Sequence, residues 1–296
     1  MSAIRSAADA VYRWFYAPEP VHAISVTRAL LGFILFFCYL IYAPDMEWYY
    51  GSDGLLVYML NLKPPYTVTQ AYLWPLYAGV LVSAVCFGVG LFTRPAGLCL
   101  AMFHYLFVRF GIMHTWGWAE TIPLYVVYVS LSGANRWLSV DAWWAARRGR
   151  PMRPEAPAWA LRLLQFHVAM VYVAAAWHRI DDRAWLYGEI VYEALSNAWY
   201  TRLPGVDFQP VKPLLSLATW ATEAAELSAP IALWIPRLRP YWVLALITLH
   251  AGLQVGASVG WWQPMMIAGL VSFVDPAQVS AGAARWRAWR AARAAA

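Results

Sequence analysis

The chain is poor in charge: only 13% of its 296 residues are Asp, Glu, Lys or Arg. With 61% hydrophobic residues and 19 Trp, it has more apolar surface than one soluble core can hide. Cysteine is scarce too. Cys38, Cys86 and Cys99 show no paired spacing, so neither a disulfide framework nor a thiolate metal site is indicated. No HxH or HxxxH spacing joins His114, His178 and His250, and no metal is expected. There is no short apolar core followed by a small-residue cleavage site, so the first apolar run reads as a signal anchor. No polar stretch exceeds about 35 residues, which leaves no room for a second folded domain.

What is there is apolar sequence in long runs. Residues 24–42, 73–92, 96–113, 121–138, 159–178, 214–235, 240–257 and 261–275 each approach the roughly 20 residues that a helix needs to cross a bilayer. The third, fourth and eighth are short or interrupted. The expected fold class is therefore all-α: a polytopic integral membrane protein of about eight transmembrane helices forming a single domain over 1–296. Arginines gather in alternate connections: Arg5 and Arg13, Arg94, the cluster Arg147, Arg148, Arg150 and Arg153, the pair Arg237 and Arg239, and the tail from Arg285 to Arg293. Basic loops favour the cytoplasmic side, so an eight-helix count puts both termini in the cytoplasm and turns 43–72 and 179–213 outward. The net charge of +6 follows from that bias and gives no reason to expect nucleic acid. The Arg-rich, Pro-rich stretch 139–158 reads as a linker between two four-helix halves.

Ionisable residues inside the apolar runs are costly unless paired or solvated. Arg28, His104, Glu120, Arg162, Glu223, Glu226 and His250 are such residues. In the fifth run, Arg162, Gln165, Ala169, Tyr172, Ala176 and Arg179 recur at helical steps and share one face, while His167 and His178 point nearly opposite. His178 ends that run beside Arg179, Asp181 and Asp182. Glu223 and Glu226 lie three residues apart on one face of the sixth run; each reads either as a proton carrier or as the partner of Arg28 or Arg162. His250 and Gln254 stack in the seventh run at a depth similar to that of Glu223, and a His and a Glu facing each other there read as a base with its orienting acid or as a simple interhelical hydrogen bond. His104, Arg109, His114 and Glu120 form a further polar edge.

The runs TRALLGFILF at 27–36, WYYGSDGLL at 48–56, GLFTRPAGL at 90–98, SVDAWW at 139–144, LRLLQFHVAMVYVAAAWHRI at 161–180, AWLYGEIVYEAL at 184–195 and TEAAELSAP at 222–230, followed by His250, stand in an order that resembles the horizontally transferred transmembrane domain family, related to vitamin K-dependent gamma-carboxylase. The resemblance covers nearly the whole chain. It implies an integral-membrane helical fold, and for the carboxylase relatives it implies oxidation of a reduced quinone with oxygen, generating a strong base that removes a proton from a peptide glutamate.

The relatives' lysine base lies just before the AW-x-x-G motif, where this chain has His178 and Arg179. A guanidinium stays protonated and cannot serve, whereas His178 can at lower basicity. Glu120 stands where relatives tend to have Asp or His. The relatives also carry a large lumenal domain that this chain lacks, which argues against carboxylation of a docked protein.

The resulting expectation is a membrane enzyme with an outward-facing pocket, taking reduced vitamin K or menaquinone. His178, Glu226, His250 and Glu120 form its acid–base set, and Arg162, Gln165, Tyr172 and Arg179 its cofactor side. The bacterial cytoplasmic membrane is the expected location. The competing expectation is a non-enzymatic accessory protein for the maturation or export of a small peptide. A transporter is disfavoured because no internal repeat is visible.

Overall fold

The computed structural model describes residues 2–50, 70–110, 117–179, 181–258 and 260–295. The chain is mostly helical. Over its described residues each apolar run contains a helix: α2 (His22–Ile41), α4 (Gln70–Val89), α5 (Thr93–Phe110), α6 (Gly117–Leu131), α8 (Trp159–Arg179), α11 (Lys212–Ala232), α12 (Arg239–Gly256) and α13 (Trp262–Val271). The other helices are α1 (Ser2–Tyr16), α3 (Met46–Tyr50), α7 (Val140–Arg147), α9 (Arg183–Leu186), α10 (Ile190–Ser196) and α14 (Pro276–Ala295). Among the described residues, three helices are long and apolar enough to cross a membrane: His22–Ile41, Ala71–Val89 and Trp159–Arg179. A fourth crossing exists if Trp262–Val271 and Pro276–Arg293, bent by 97° at their junction, form one broken span. The bend sits where Asp275 accepts from the Ala277 N–H at 2.8 Å and so starts a new helix instead of extending α13.

The molecule has two compact units. Unit 1 comprises residues 1–164 and 275–296, and unit 2 residues 165–274. The stretch 139–158, expected to be a linker between halves, lies inside unit 1 instead. Its first part is α7, capped by Ser139, whose hydroxyl accepts from Ala142 N. Its last part is β2 (Glu155–Pro157), which pairs antiparallel with β1 (Pro18–Pro20), Glu19 opposite Ala156. Among the described residues this ribbon is the two-stranded sheet, with an isolated bridge between Thr201 and Ala257 besides, and prolines near or within the ribbon explain why helix is not formed there.

In unit 1, α2 packs on α4, and α5 packs on α4 and α6. The α2–α4 crossing is close because Gly32 faces Gly88: a Cβ on Gly32 would overlap the Gly88 backbone and the Ala84 carbonyl. Small residues at such crossings let helices approach where lipid provides no hydrophobic drive. Gly32→Leu is expected to cost about 3 kcal/mol through overpacking against rigid backbone, read as a lower melting temperature in detergent, whereas Gly32→Ala costs less.

The α4–α5 turn joins three of the sequence motifs. Gly90 and Phe92 both take positive φ, 74° and 47°. The fully buried Arg28 guanidinium donates to the carbonyls of Phe87, Gly88 and Leu138. Asp141 accepts from Phe92 N at 2.8 Å, Thr93 N at 2.9 Å and the Thr93 hydroxyl at 2.8 Å, and its own N–H donates to the Gly90 carbonyl. Arg28 thus adds a donor to the carbonyls ending α4, of which Phe87 also accepts from the Gly90 N–H at 3.1 Å, while Asp141 satisfies the free amides starting α5. In the same unit, buried His104 bonds through Nδ1 to the Tyr39 hydroxyl at 2.8 Å, so it faces the helix core and not a polar edge.

Candidate functional site

Unit 2 is organised around the expected polar face of α8. Gln165, Ala169 and Tyr172 are buried, while Phe166, Met170, Val173 and Trp177 on the other side are exposed, as a 3.6-residue period requires. Gln165 Nε2 donates to the Ser272 carbonyl at 2.8 Å, tying α8 to the residue that ends α13.

Tyr172 reaches His250 of α12: the hydroxyl lies 2.9 Å from Nε2. On the other edge of the same imidazole, Nδ1 meets Oε1 of Gln263 on α13. An amide oxygen can only accept, so Nδ1 carries the proton and Nε2 is left to accept from Tyr172. The result is a neutral imidazole in a fixed tautomer, with its partners on separate helices. All three side chains are at least 95% buried, with Leu246, Met265 and Met266 of the same helices also in the core. The arrangement can pass a proton between a phenol and an imidazole without exposing either to water.

One face further along α8, Arg179 donates through Nη1 to Oε2 of Glu226 on α11, and its guanidinium lies 3.9 Å above the Trp185 ring. The Trp185 segment is held by α11. Thr219 accepts from Val191 N at 3.1 Å and donates to the Gly188 carbonyl at 3.3 Å, and Trp220 Nε1 donates to the Leu186 carbonyl at 3.2 Å. Gly188 has φ +73°, and a Cβ there would meet Ser216 and Trp220, so only glycine suits this turn.

Tyr172 with His250, and Arg179 with Glu226, are therefore the pairs that the fold brings together among the residues anticipated from sequence. The membrane carboxylate partner of an arginine is Glu226, and its arginine is Arg179, not Arg28 or Arg162. Glu223 is half-buried and has no ion pair with a described residue. His250 meets Tyr172 and Gln263 where a Glu was expected, and the Gln254 amide lies instead between the Gly260 carbonyl and Arg202 Nη2, each at 3.2 Å. Arg162 belongs to unit 1, where it pairs with Glu19 and lies 5.0 Å over the Trp14 ring. His178 is exposed at the end of α8 and Glu120 is exposed in the first turn of α6, while His167 is half-buried. His114 and residues 51–69, with Asp53 and much of the WYYGSDGLL run, lie outside the described residues.

Gln263 was missed. The sequence does carry a signal for it, a single amide inside the apolar run WWQPMM, but nothing in linear spacing connects it with His250 thirteen residues earlier. Among the described residues, no group of three His, Cys, Asp or Glu side chains is placed to hold a metal ion.

In comparison with known proteins, the sequence profile of the HTTM domain matches residues 16–277. No curated protein and no solved structure matches the chain.

Proposed function

Because the chain belongs to the HTTM domain family, we propose that it is a membrane-embedded acid–base enzyme acting on a lipid-dissolved reduced quinone, as vitamin K hydroquinone or menaquinol, related in chemistry to the gamma-carboxylase branch. The observation that carries this reading is the buried Tyr172–His250–Gln263 chain. In an apolar environment, a neutral imidazole held in one tautomer beside a phenol is a preorganised proton acceptor.

The side chains present fit a reduced quinone in one respect: Tyr172 and His250 are the hydrogen-bonding types that a phenolic hydroxyl needs, set among Met and Leu side chains that suit an apolar ring. When bound, the quinol supplies the reducing electrons and an acidic hydroxyl. His250 Nε2 accepts the proton through the Tyr172 hydroxyl, and Gln263 keeps Nδ1–H fixed, so the ring cannot turn or change tautomer. Arg179 is no substitute for the relatives' lysine, since it stays charged and is engaged by Glu226 and Trp185. It is a positioning residue in this scheme. His178 and Glu120 stay acid–base candidates at exposed positions, and Gln165 and Arg162 hold α8 in place. We further propose eight spans, both termini cytoplasmic, a pocket opening outward, and residence in a bacterial cytoplasmic membrane.

The test is chromatographic detection of quinone epoxide from the purified full chain given menaquinol and oxygen. His250→Gln is expected to lower product formation by roughly 10²-fold or more, the usual worth of a positioned base. Tyr172→Phe, which keeps the ring and removes only the hydroxyl, is expected to cost about tenfold. Undiminished epoxide from a well-folded His250→Gln protein would sink the assignment.

One observation favours a second reading. Trp177 (74% exposed) and Trp199 (89%) stand on or beside the connection from α8 to α11, and tryptophan is among the residue types enriched at protein contact surfaces. Capture of a small peptide for maturation or export is the function they would serve. Photo-crosslinking from position 199 to a short secreted peptide, with activity independent of His250, would favour it over the enzyme.

A further inference from the structure

Three arginines from separate elements border one cleft in unit 1. Arg94 is the second residue of α5, Arg136 ends the 3-10 turn Ala134–Arg136, and Arg153 stands two residues before β2. With Asn135 and Met152 they line a space of about 350 Å³. A neighbouring cleft of about 340 Å³ shares Arg94 and Arg136 as walls and adds the apolar side chains of Leu131, Ala156 and Trp159.

Among the described residues, none of these arginines is in an ion pair; the pairs formed are Arg162 with Glu19, Arg179 with Glu226 and Lys212 with Glu189. Two acids of the surrounding elements are committed elsewhere. Both Asp141 oxygens serve the amides of Phe92 and Thr93, and Glu19 is taken by Arg162. Glu155 approaches Arg136 through its backbone carbonyl, which accepts from Nη1. That bond fixes Arg136 while leaving other N–H groups of its fork available. Asp141 already caps the α5 N-terminus where Arg94 stands, so the excess positive charge of the cleft is that of the three guanidinium groups, and an anion placed among them is attracted by all three.

The cleft also lies at a particular level. The neighbouring cleft, which shares Arg94 and Arg136 with it, borders the first residue of the candidate span Trp159–Arg179, and β2, which forms part of that neighbouring wall, pairs with the segment leading into His22–Ile41. Arg94 follows five residues after the end of Ala71–Val89. Trp137, Trp143 and Trp286 line a further cleft beside Arg136. Span ends carrying both arginine and tryptophan belong at the headgroup layer of a bilayer. A guanidinium fork matches the two free oxygens of a phosphodiester, and the apolar floor beside it suits glycerol and the first acyl carbons.

We propose that the Arg94–Arg136–Arg153 cleft binds the phosphate of an anionic lipid headgroup. The full chain, purified in detergent and offered phosphatidylglycerol or phosphatidylcholine, is examined by native mass spectrometry. Phosphatidylglycerol is expected to be retained preferentially, and Arg94→Gln/Arg153→Gln to cut that preference about tenfold or more, since each basic residue removed weakens the attraction severalfold. Arg147→Gln/Arg148→Gln, which removes two exposed arginines stacked on Trp143 and Trp144, is expected to leave it unchanged. If the double variant does not fold, the single Arg153→Gln, on an exposed loop, carries the test with a smaller loss of the same sign. Retention unaffected by these cleft variants, or lost equally in the Arg147/Arg148 control, overturns the site. Displacement of the lipid by an equal concentration of glycerol phosphate overturns the lipid assignment in favour of a soluble phosphate ester.

Discussion

Arg28→Met is expected to prevent recovery of folded protein, or to lower its stability by about 3–5 kcal/mol, because it removes a buried charge-assisted donor from three carbonyls at once, two of them buried. The guanidinium of Arg28 is fully buried and bridges the end of α4, through Phe87 and Gly88, to Leu138 just before α7. The Phe87 carbonyl keeps the Gly90 N–H as a donor at 3.1 Å, so the Gly88 carbonyl, in the last turn of α4, bears the larger loss. The nearby charge of Asp141 compensates part of the cost of burying Arg28, so the variant also leaves that carboxylate without its cationic neighbour. Arg28→Lys is expected to recover little. An ammonium is a compact point charge, and it cannot present a planar fork to α4 while also reaching Leu138. Thermal unfolding in detergent, followed by size-exclusion chromatography, reads the effect. A melting temperature for Arg28→Met equal to wild type would show that the junction contributes nothing.

The second large effect concerns Arg179 and Glu226. Glu226→Leu is expected to destabilise unit 2 by about 3 kcal/mol, chiefly because it strands the Arg179 charge in a partly closed apolar setting. Arg179→Met alone is expected to cost a similar amount by stranding the carboxylate, and by losing the stack on Trp185 as well. The double variant Arg179→Met/Glu226→Leu is expected to recover most of the loss, since replacing both members of a buried pair removes the desolvation cost together with the attraction. A double-mutant cycle on melting temperature measures the coupling. Losses that simply add would mean that the two groups do not stabilise each other. The same double variant also separates roles. If the pair only positions Trp185 and α11, the recovered protein keeps part of its quinol turnover. If Glu226 carries protons, turnover stays lost although the fold is restored.

These two junctions show how sequence motifs became structure. TRALLGFILF, GLFTRPAGL and SVDAWW are separated by up to about a hundred residues, yet Arg28, Gly90, Thr93 and Asp141 meet at the turn between α4 and α5. AWLYGEIVYEAL and TEAAELSAP meet the end of α8 through Trp185, Glu226 and Arg179. Their residue types announced an interaction, because arginine and carboxylate in apolar runs need partners. Their pairing was not announced, because a helix face can be read from spacing whereas the neighbour across a helix interface depends on crossing geometry. Assigning Arg28 or Arg162 to the sixth-run carboxylates failed for that reason, as did the expected His–Glu pairing of His250.

Local physics decided what the sequence alone could determine: the helices, set by long apolar runs ended by glycine, proline and capping side chains; the inward face of α8, set by a 3.6-residue period; and membership of a membrane family, carried by motif order. Tertiary structure alone decided that 139–158 belongs to unit 1 and that His250 is held between Tyr172 and Gln263. Those outcomes rest on hydrogen bonds between residues distant in sequence, and such partners are chosen by which buried polar groups remain unsatisfied once the helices have packed.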